Sequence, residues 1–294
     1  MHPHARIIFL DVDGTIIDGH ERMAASTPEA IRRARAAGHL VYLATGRSRA
    51  EIFPHVAEIG FDGAITAGGG FAEIGDRLIA SHTMSADELE TLTEVLEDER
   101  LDYYLQAAER VYASPGMLEH YFRLMREGLI PDDESAEGVP ETLLPETSAH
   151  EAPADATPAD VYAPLADAPR DAIAKVLFLG EDDRAYARVV RRLGDRFTVI
   201  TGTIAHLGGA SGEISPLGVD KGRAALDVLA DLGVPAERAV AIGDSVNDLQ
   251  ILERVGLGIA MGNASAEVKA VADEQTTHVL DDGIWNAFVR HGLI

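Results

Sequence analysis

The sequence predicts an α/β protein: a parallel-sheet core, divided along the chain by an inserted second α/β domain. Two observations predict it. Residues 6–82 alternate short, continuous apolar runs with amphipathic helical stretches, and the same texture resumes from about residue 212. Between them, residues 83–211 change in composition and periodicity. A continuous apolar run suits a strand buried on both faces, and strand–helix alternation supplies the helices that cover those faces. The expected organisation is therefore a core of residues 1–82 and 212–294 with an inserted domain of residues 83–211.

The elements follow in chain order. Ile7–Leu10 reads as a buried strand. Thr27-Pro28-Glu29 reads as an N-cap, a first-turn proline and a first-turn acid, and Gly38 closes that helix. Leu40–Leu43 is the next strand, Arg49–Ile59 a second helix ending at Gly60, and Gly63–Thr66 a third strand. Ser85 to Glu88 forms a capping box, and Leu89, Leu92, Val95 and Leu96 give the following helix one apolar stripe. Tyr103, Tyr104, Tyr112 and Tyr121 follow and read as core of the inserted domain. Residues 131–171, rich in Pro, Ala, Asp and Glu, read as a long loop or insertion. Lys175–Leu179 and Arg196–Thr201 return to a strand pattern. In the last segment Lys221–Leu232 is a helix ended by Gly233, Ala239–Ile242 a strand and Leu249–Val255 a helix. Leu257–Met261, Ala264–Val271, Thr277–Leu280 and Gly283–Arg290 continue the alternation, with Trp285 as packing.

Composition narrows the chemistry. The 294 residues contain no cysteine, which excludes disulfides, thiolate metal sites and cysteine nucleophiles. A formal net charge of −24 excludes non-specific binding to nucleic-acid phosphates or anionic membrane, so an anionic ligand needs a local exception to the global field. Only Lys175, Lys221 and Lys269 are lysines. Coding bias accounts for that skew, yet it makes a lysine at a motif position harder to dismiss. Ten residues precede the first motif, and no apolar run approaches the roughly 18 residues of a membrane span, so a cytoplasmic location is expected.

Four segments carry the chemistry. Asp11-Val12-Asp13-Gly14-Thr15 stands at the carboxyl end of the first strand, where open parallel sheets bind ligands. Strand alternation puts Asp11 and Asp13 on one side. Taken alone, the segment also reads as an acidic turn. Thr45-Gly46-Arg47 follows the second strand, where a hydroxyl and free N–H groups can hold a phosphoryl oxygen; alone it reads equally as a turn. Lys221 opens a helix, a place the macrodipole disfavours for a cation unless an anion is held there. Gly243-Asp244-Ser245-Val246-Asn247-Asp248 leaves another strand end with two acids and an amide. Jointly, Asp11, Asp13, Asp244 and Asp248 converge on one sheet edge. Crowded carboxylates repel and take up protons, and a hard divalent cation resolves the conflict. All-oxygen ligands point to Mg²⁺ rather than Zn²⁺.

In this order, DVDGT, ATGR, VDKG and GDSVND resemble the haloacid dehalogenase-like (HAD) phosphohydrolases. Residues 14–44 are too few to hold a cap domain, so the insertion between Thr45 and Lys221 is similar to that of the Cof-type, subclass IIB members. The segments Ile259–Ala264 and Asp281–Ile284 also look like that subgroup. The resemblance implies a Rossmann-like core with a C2B-type α/β cap and a phosphatase acting on a small phosphorylated metabolite, a sugar phosphate or cofactor phosphate. It implies Asp11 as nucleophile, giving an aspartyl-phosphate, and Asp13 as acid and base. It implies Mg²⁺ held by Asp11, the Asp13 carbonyl and Asp244, with Asp248 bound through water or steadying the shell. Thr45, Gly46, Lys221 and Asn247 would grip the phosphoryl oxygens. Subgroup members usually carry Asn-Gly-Ala after the third strand; Ala67-Gly68-Gly69-Gly70 departs from that, a change expected to leave the phosphoryl machinery untouched.

Two other readings share parts of the pattern. A sugar phosphomutase uses the same aspartyl-phosphate step, and a catalytically silent metabolite-binding regulator would keep the fold without needing Asp13. The eleven histidines form no HExxH pattern, His2 and His4 read as a frayed terminus, and Gly208-Gly209 and Gly68–Gly70 complete no dinucleotide fingerprint.

Overall fold

In the computed structural model, residues 5–120, 123, 161–202 and 205–294 are described. Two sheets organise them. The strands, in chain order, are β1 (Ile7–Leu10), β2 (Leu40–Ala44), β3 (Gly63–Thr66), β4 (Phe71–Ile74), β5 (Arg77–Ser81), β6 (Asp102–Gln106), β7 (Val111–Ala113), β8 (Tyr162–Pro164), β9 (Lys175–Leu179), β10 (Phe197–Thr201), β11 (Ser211–Pro216), β12 (Ala239–Gly243), β13 (Leu257–Ala260) and β14 (Glu274–Gln275). The helices are α1 (Thr27–Ala36), α2 (Pro54–Ala57), α3 (Ala86–Asp98), α4 (Ala185–Leu193), α5 (Lys221–Leu232), α6 (Leu249–Arg254), α7 (Ala266–Val271) and α8 (Gly283–Arg290).

The first sheet has the order β14-β13-β12-β1-β2-β3-β4-β5. Its strands are parallel from β14 to β3, and β4 and β5 add an antiparallel edge. The chain leaves β1 toward β2 on one side and returns to β12 on the other, so the sheet's topological switch point lies between β1 and β12. Ligands bind outside the strand ends at such a point. Alternation along β1 explains the two cores. Ile8 and Leu10 face one apolar cluster with α1 and α8, whereas Ile7 and Phe9 face another with α5, α6 and α7. Trp285 packs at the margin of the first cluster, with the Arg33 guanidinium over its ring.

The second sheet has the order β10-β11-β9-β6-β7-β8. Its pairings are antiparallel except β7 with β8. Leu105, Val176, Phe178 and Ile214 bury one face beneath Leu92 and Leu96 of α3 and Val189 and Leu193 of α4. The capping box at Ser85 starts α3 as its residues predict, with the Ser85 hydroxyl accepting from the Glu88 N–H. Tyr103 belongs to this core and donates to Glu97, whereas Tyr104 lies on the opposite face.

Several elements differ from expectation. α1 has Ser26 at its cap, one residue before the expected Thr27, and Pro28 stays in the first turn. Arg49–Ile59 is not one helix. A turn of 3₁₀ helix at Arg49–Glu51 and the short α2 are separated because Pro54 keeps Phe53 extended. Thr277–Leu280 is not a strand; the last strand is Glu274–Gln275, and a turn takes over before α8. Of the loop expected at residues 131–171, the described part, residues 161–171, holds strand β8 and a 3₁₀ turn at Leu165–Asp167, because β8 completes the sheet beside β7. Residues 131–160, Tyr121, His2 and His4 lie outside the described residues. Strand β11 pairs with β9 and β10, so the second sheet runs past the division expected at residues 211 and 212. Among the described residues, no helix is long and apolar enough to cross a membrane.

Candidate active site

Asp11 follows β1 directly, and its N–H still pairs with the Ile242 carbonyl of β12, so its side chain is set by the sheet. Gly14 turns the chain at φ +85°, and a Cβ there would stand 2.1 Å from Asp244 Oδ2. Only glycine both adopts that backbone and admits the carboxylate. Thr15 donates to Asp244 Oδ1 at 3.2 Å, and Asn263 donates to the Gly14 carbonyl at 2.7 Å. Asp248 ends the turn after β12, and its Oδ2 accepts from the Asp244 and Ser245 N–H groups at 3.0 and 3.1 Å.

These placements bring Asp11, Asp244 and Asp248 together, with one carboxylate oxygen from each lying within 4.8 Å of the others. Lys221 is fully buried at the start of α5 and donates to Asp11 Oδ1 and Asp248 Oδ1, both at 2.7 Å, and to Asn247 Oδ1 at 3.1 Å. Burial, then the Asp248 carboxylate, pushes Asp11 well above the usual carboxylate range against the pull of Lys221. Burial, again followed by Asp248, pushes Asp244 up to about 7. Burial presses the Lys221 ammonium toward neutrality, but Asp11 and Asp248 outweigh it and the net shift is upward. Three carboxylates therefore surround one ammonium. An all-oxygen site carrying surplus negative charge fits a hard divalent cation such as Mg²⁺.

Asp13 stands apart from this cluster. Its two carboxylate oxygens accept from Arg47 at 2.8 and 2.9 Å, and about half of its side chain is exposed. Arg47 is itself anchored by the Glu51 carbonyl at 3.1 Å and lies over the Phe53 ring. Thr45 follows β2 directly, is fully buried and accepts from the Arg47 N–H at 3.1 Å, so its own proton is kept for an acceptor. Asn247 turns its amide toward Gly46, where a Cβ would lie 3.2 Å from Nδ2. Thus Thr45, Gly46 and Asn247 sit at one edge. Lys221, expected as a phosphoryl counter-charge, bonds the carboxylates Asp11 and Asp248, which lie nearer to it than any other acceptor.

Sequence reasoning left several participants unassigned. Arg47 and Asn263 lay inside quoted motifs without a role. The Ala67–Gly70 segment, expected to leave the phosphoryl machinery untouched, packs directly on it. Ala67 and Gly68 donate N–H bonds to the Arg47 and Thr45 carbonyls at 2.7 and 3.0 Å. A Cβ on Gly69 would stand 2.3 Å from the Asp220 carbonyl at the start of α5. The run of three glycines was the available signal, since it lets backbone approach backbone. Lys175, Glu213 and Gln106 of the second sheet also reach this edge, and no motif marks them.

A switch-point site with clustered carboxylates, a buried lysine and a hydroxyl-bearing turn defines the class: an enzyme of phosphoryl chemistry built on a parallel-sheet core. The model of the haloacid dehalogenase-like hydrolases matches residues 8–288, and the chain belongs to that family. It is similar to YkrA of Bacillus subtilis (strain 168), 27% identical over 291 residues covering 99% of each chain. It is also 28% identical to the HMP-PP phosphatase of Klebsiella pneumoniae (strain 342), over 90% of this chain and 87% of that one. Among solved structures, the subclass IIB sugar phosphatase BT4131 has a TM-score of 0.76 at 19% identity, covering 99% of this chain and all of the other. The core-plus-cap fold is that of subclass IIB, and the protein is a phosphatase enzyme of this family.

Proposed function

We propose that this protein is a Mg²⁺-dependent phosphomonoesterase that hydrolyses a small phosphorylated metabolite through an aspartyl-phosphate on Asp11. The convergence of Asp11, Asp244 and Asp248 around buried Lys221 carries this reading. Asp11, Asp244 and the Asp13 carbonyl would hold the ion, with Asp248 fixing Asp244 and Ser245. The bound ion supplies positive charge against the phosphoryl oxygens and the attacking carboxylate. Lys221 holds Asp11 by Oδ1, which directs the other oxygen to phosphorus. As the Asp11 O–P bond forms, the ester O–P bond breaks and Asp13 in its protonated form gives its proton to the departing alkoxide, becoming the carboxylate that Arg47 holds by both oxygens. Asp13 then takes a proton from the water that cleaves the aspartyl-phosphate and releases inorganic phosphate. Thr45, Gly46 and Asn247 hold the equatorial oxygens, where the transition state spreads its charge.

The substrate class within this reading is a sugar phosphate or a cofactor phosphate, which the names of the HMP-PP phosphatase and the sugar phosphatase BT4131 support by analogy. A cytoplasmic location, without nucleic-acid or membrane partners, belongs to the same reading. The test is a panel of phosphomonoesters assayed for phosphate release with and without Mg²⁺, with Asp11→Asn as the blank. Release that needs both Mg²⁺ and Asp11 supports the proposal. Release that survives chelation or Asp11→Asn overturns it, and an isomerised phosphorylated product without free phosphate would identify a mutase.

A further inference from the structure

The cap sheet turns its second face to the catalytic loop. On that face Gln106 and Lys175 are cross-strand partners. Glu213 projects from the adjacent strand on the same side, since it pairs with Leu177, two residues beyond Lys175. All three are nearly fully buried. Lys175 Nζ donates to Glu213 Oε2 at 2.8 Å and to the Gly46 carbonyl at 2.5 Å. Gln106 Nε2 donates to Glu51 Oε2 at 2.7 Å. Two cap side chains thus hold the ends of one core loop, residues 46–51.

That loop reaches the reacting groups through its own bonds. The Glu51 carboxylate accepts from the Ser48 N–H at 2.9 Å, and its carbonyl accepts from Arg47, which grips both oxygens of Asp13. From the other end, Lys175 fixes the carbonyl of the Gly46–Arg47 peptide while the N–H of the same peptide points to the Thr45 hydroxyl. One set of bonds runs from Gln106 through Glu51 and Arg47 to Asp13. The other runs from Lys175 to the peptide that shapes the phosphate loop. A buried ion pair is a weak source of net stability, so adhesion alone does not account for a lysine and a glutamate on this face.

We infer that Gln106, Lys175 and Glu213 are positioning residues: the seated cap shapes loop 46–51 and, through Arg47, aims Asp13. The inference rests on the phosphatase reading above. It makes enclosure of the substrate and completion of the site one event, because the two bonds that hold the ends of the loop form where cap and core meet. None of the three residues touches the reacting atoms.

The test uses the full-length protein, with Gln106→Leu and, separately, the double replacement Lys175→Met with Glu213→Leu. The double replacement removes both charges and leaves neither buried alone, and Gln106→Leu disturbs no charge at all. Hydrogen–deuterium exchange of residues 45–52 reads the loop without reference to activity. In both variants we expect exchange there to quicken by about tenfold, and kcat to fall by about tenfold on p-nitrophenyl phosphate and on a sugar phosphate alike. Combining Gln106→Leu with Arg47→Met is expected to lose little more than Arg47→Met alone, because both act along one path. Unchanged exchange overturns the inference. So does a loss confined to the sugar phosphate, which would make these residues contacts to the leaving group. If the parent protein releases no phosphate from any ester, the hydrolytic reading fails on its own, and the exchange measurement still decides the positioning.

Discussion

Two buried lysines, one in the core and one in the cap, show what each region is built for. Lys221 faces Asp11 and Asp248, with Asp244 beside them, so one ammonium meets three carboxylates. Lys175 pairs with the Glu213 carboxylate at 2.8 Å, one ammonium to one carboxylate. The core cluster carries surplus negative charge, the condition of a site made to receive a cation. The cap pair carries none and directs a second donor to the Gly46 carbonyl, the condition of a joint. The same residue type thus serves binding in one place and assembly in the other, and the local count of charges tells them apart.

The largest effect expected is on the surplus side. Asp11→Asn removes the proposed nucleophile, and phosphate release should fall by at least about 10³-fold, checked by assay of purified protein against a phosphomonoester. Retained turnover would erase the functional half of the comparison. On the balanced side, Glu213→Gln leaves Lys175 buried without its partner charge and should cost about 3–5 kcal/mol in a urea titration. A change under about 1 kcal/mol would show that the pair is not a closed, balanced joint.

The surplus also has a pH signature. A carboxyl whose folded pKa is raised keeps its proton in the native state while the unfolded chain has lost it. Stability is therefore gained at low pH and lost as pH rises from the unfolded value near 4 through about 7, the position of Asp244. In chelator, the protein should lose roughly 2 kcal/mol between about pH 5 and 8. Mg²⁺ should reduce that loss, and Asp244→Asn should reduce it without Mg²⁺. Thermal melts across pH check this, and a flat profile in chelator would contradict the crowding. The smallest effect is expected in the cap core, where Tyr103→Phe removes only the bond to Glu97 and should cost about 1 kcal/mol with activity unchanged.

The core was legible in the sequence for a physical reason. Strand ends in a parallel sheet deliver their next residues to one edge, so Asp11, Thr45 and Asp244 were located once β1, β2 and β12 were read as strands. Gly14 and Gly233 announced turns because glycine adopts their positive φ angles without steric cost. The cap resisted the same treatment. Gln106, Lys175 and Glu213 lie at strand positions, where a buried polar side chain looks like ordinary alternation until the neighbouring strands are known. Arg47 was visible but its partner was not, because the Arg47–Asp13 pair spans two strand ends. The helix expected at 49–59 failed on Pro54, whose effect on Phe53 outweighed an apolar pattern of helical spacing.

The central claim is that Asp11 becomes phosphorylated during turnover. The direct measurement is mass spectrometry of the peptide containing residue 11, from enzyme mixed with Mg²⁺ and an excess of a substrate found in the panel, then quenched in acid. One phosphoryl group is expected on Asp11, absent when Mg²⁺ is withheld and absent in Asp11→Asn. Steady release of phosphate with Asp11 unmodified at every quench time, or with the phosphoryl group on another residue, would contradict it.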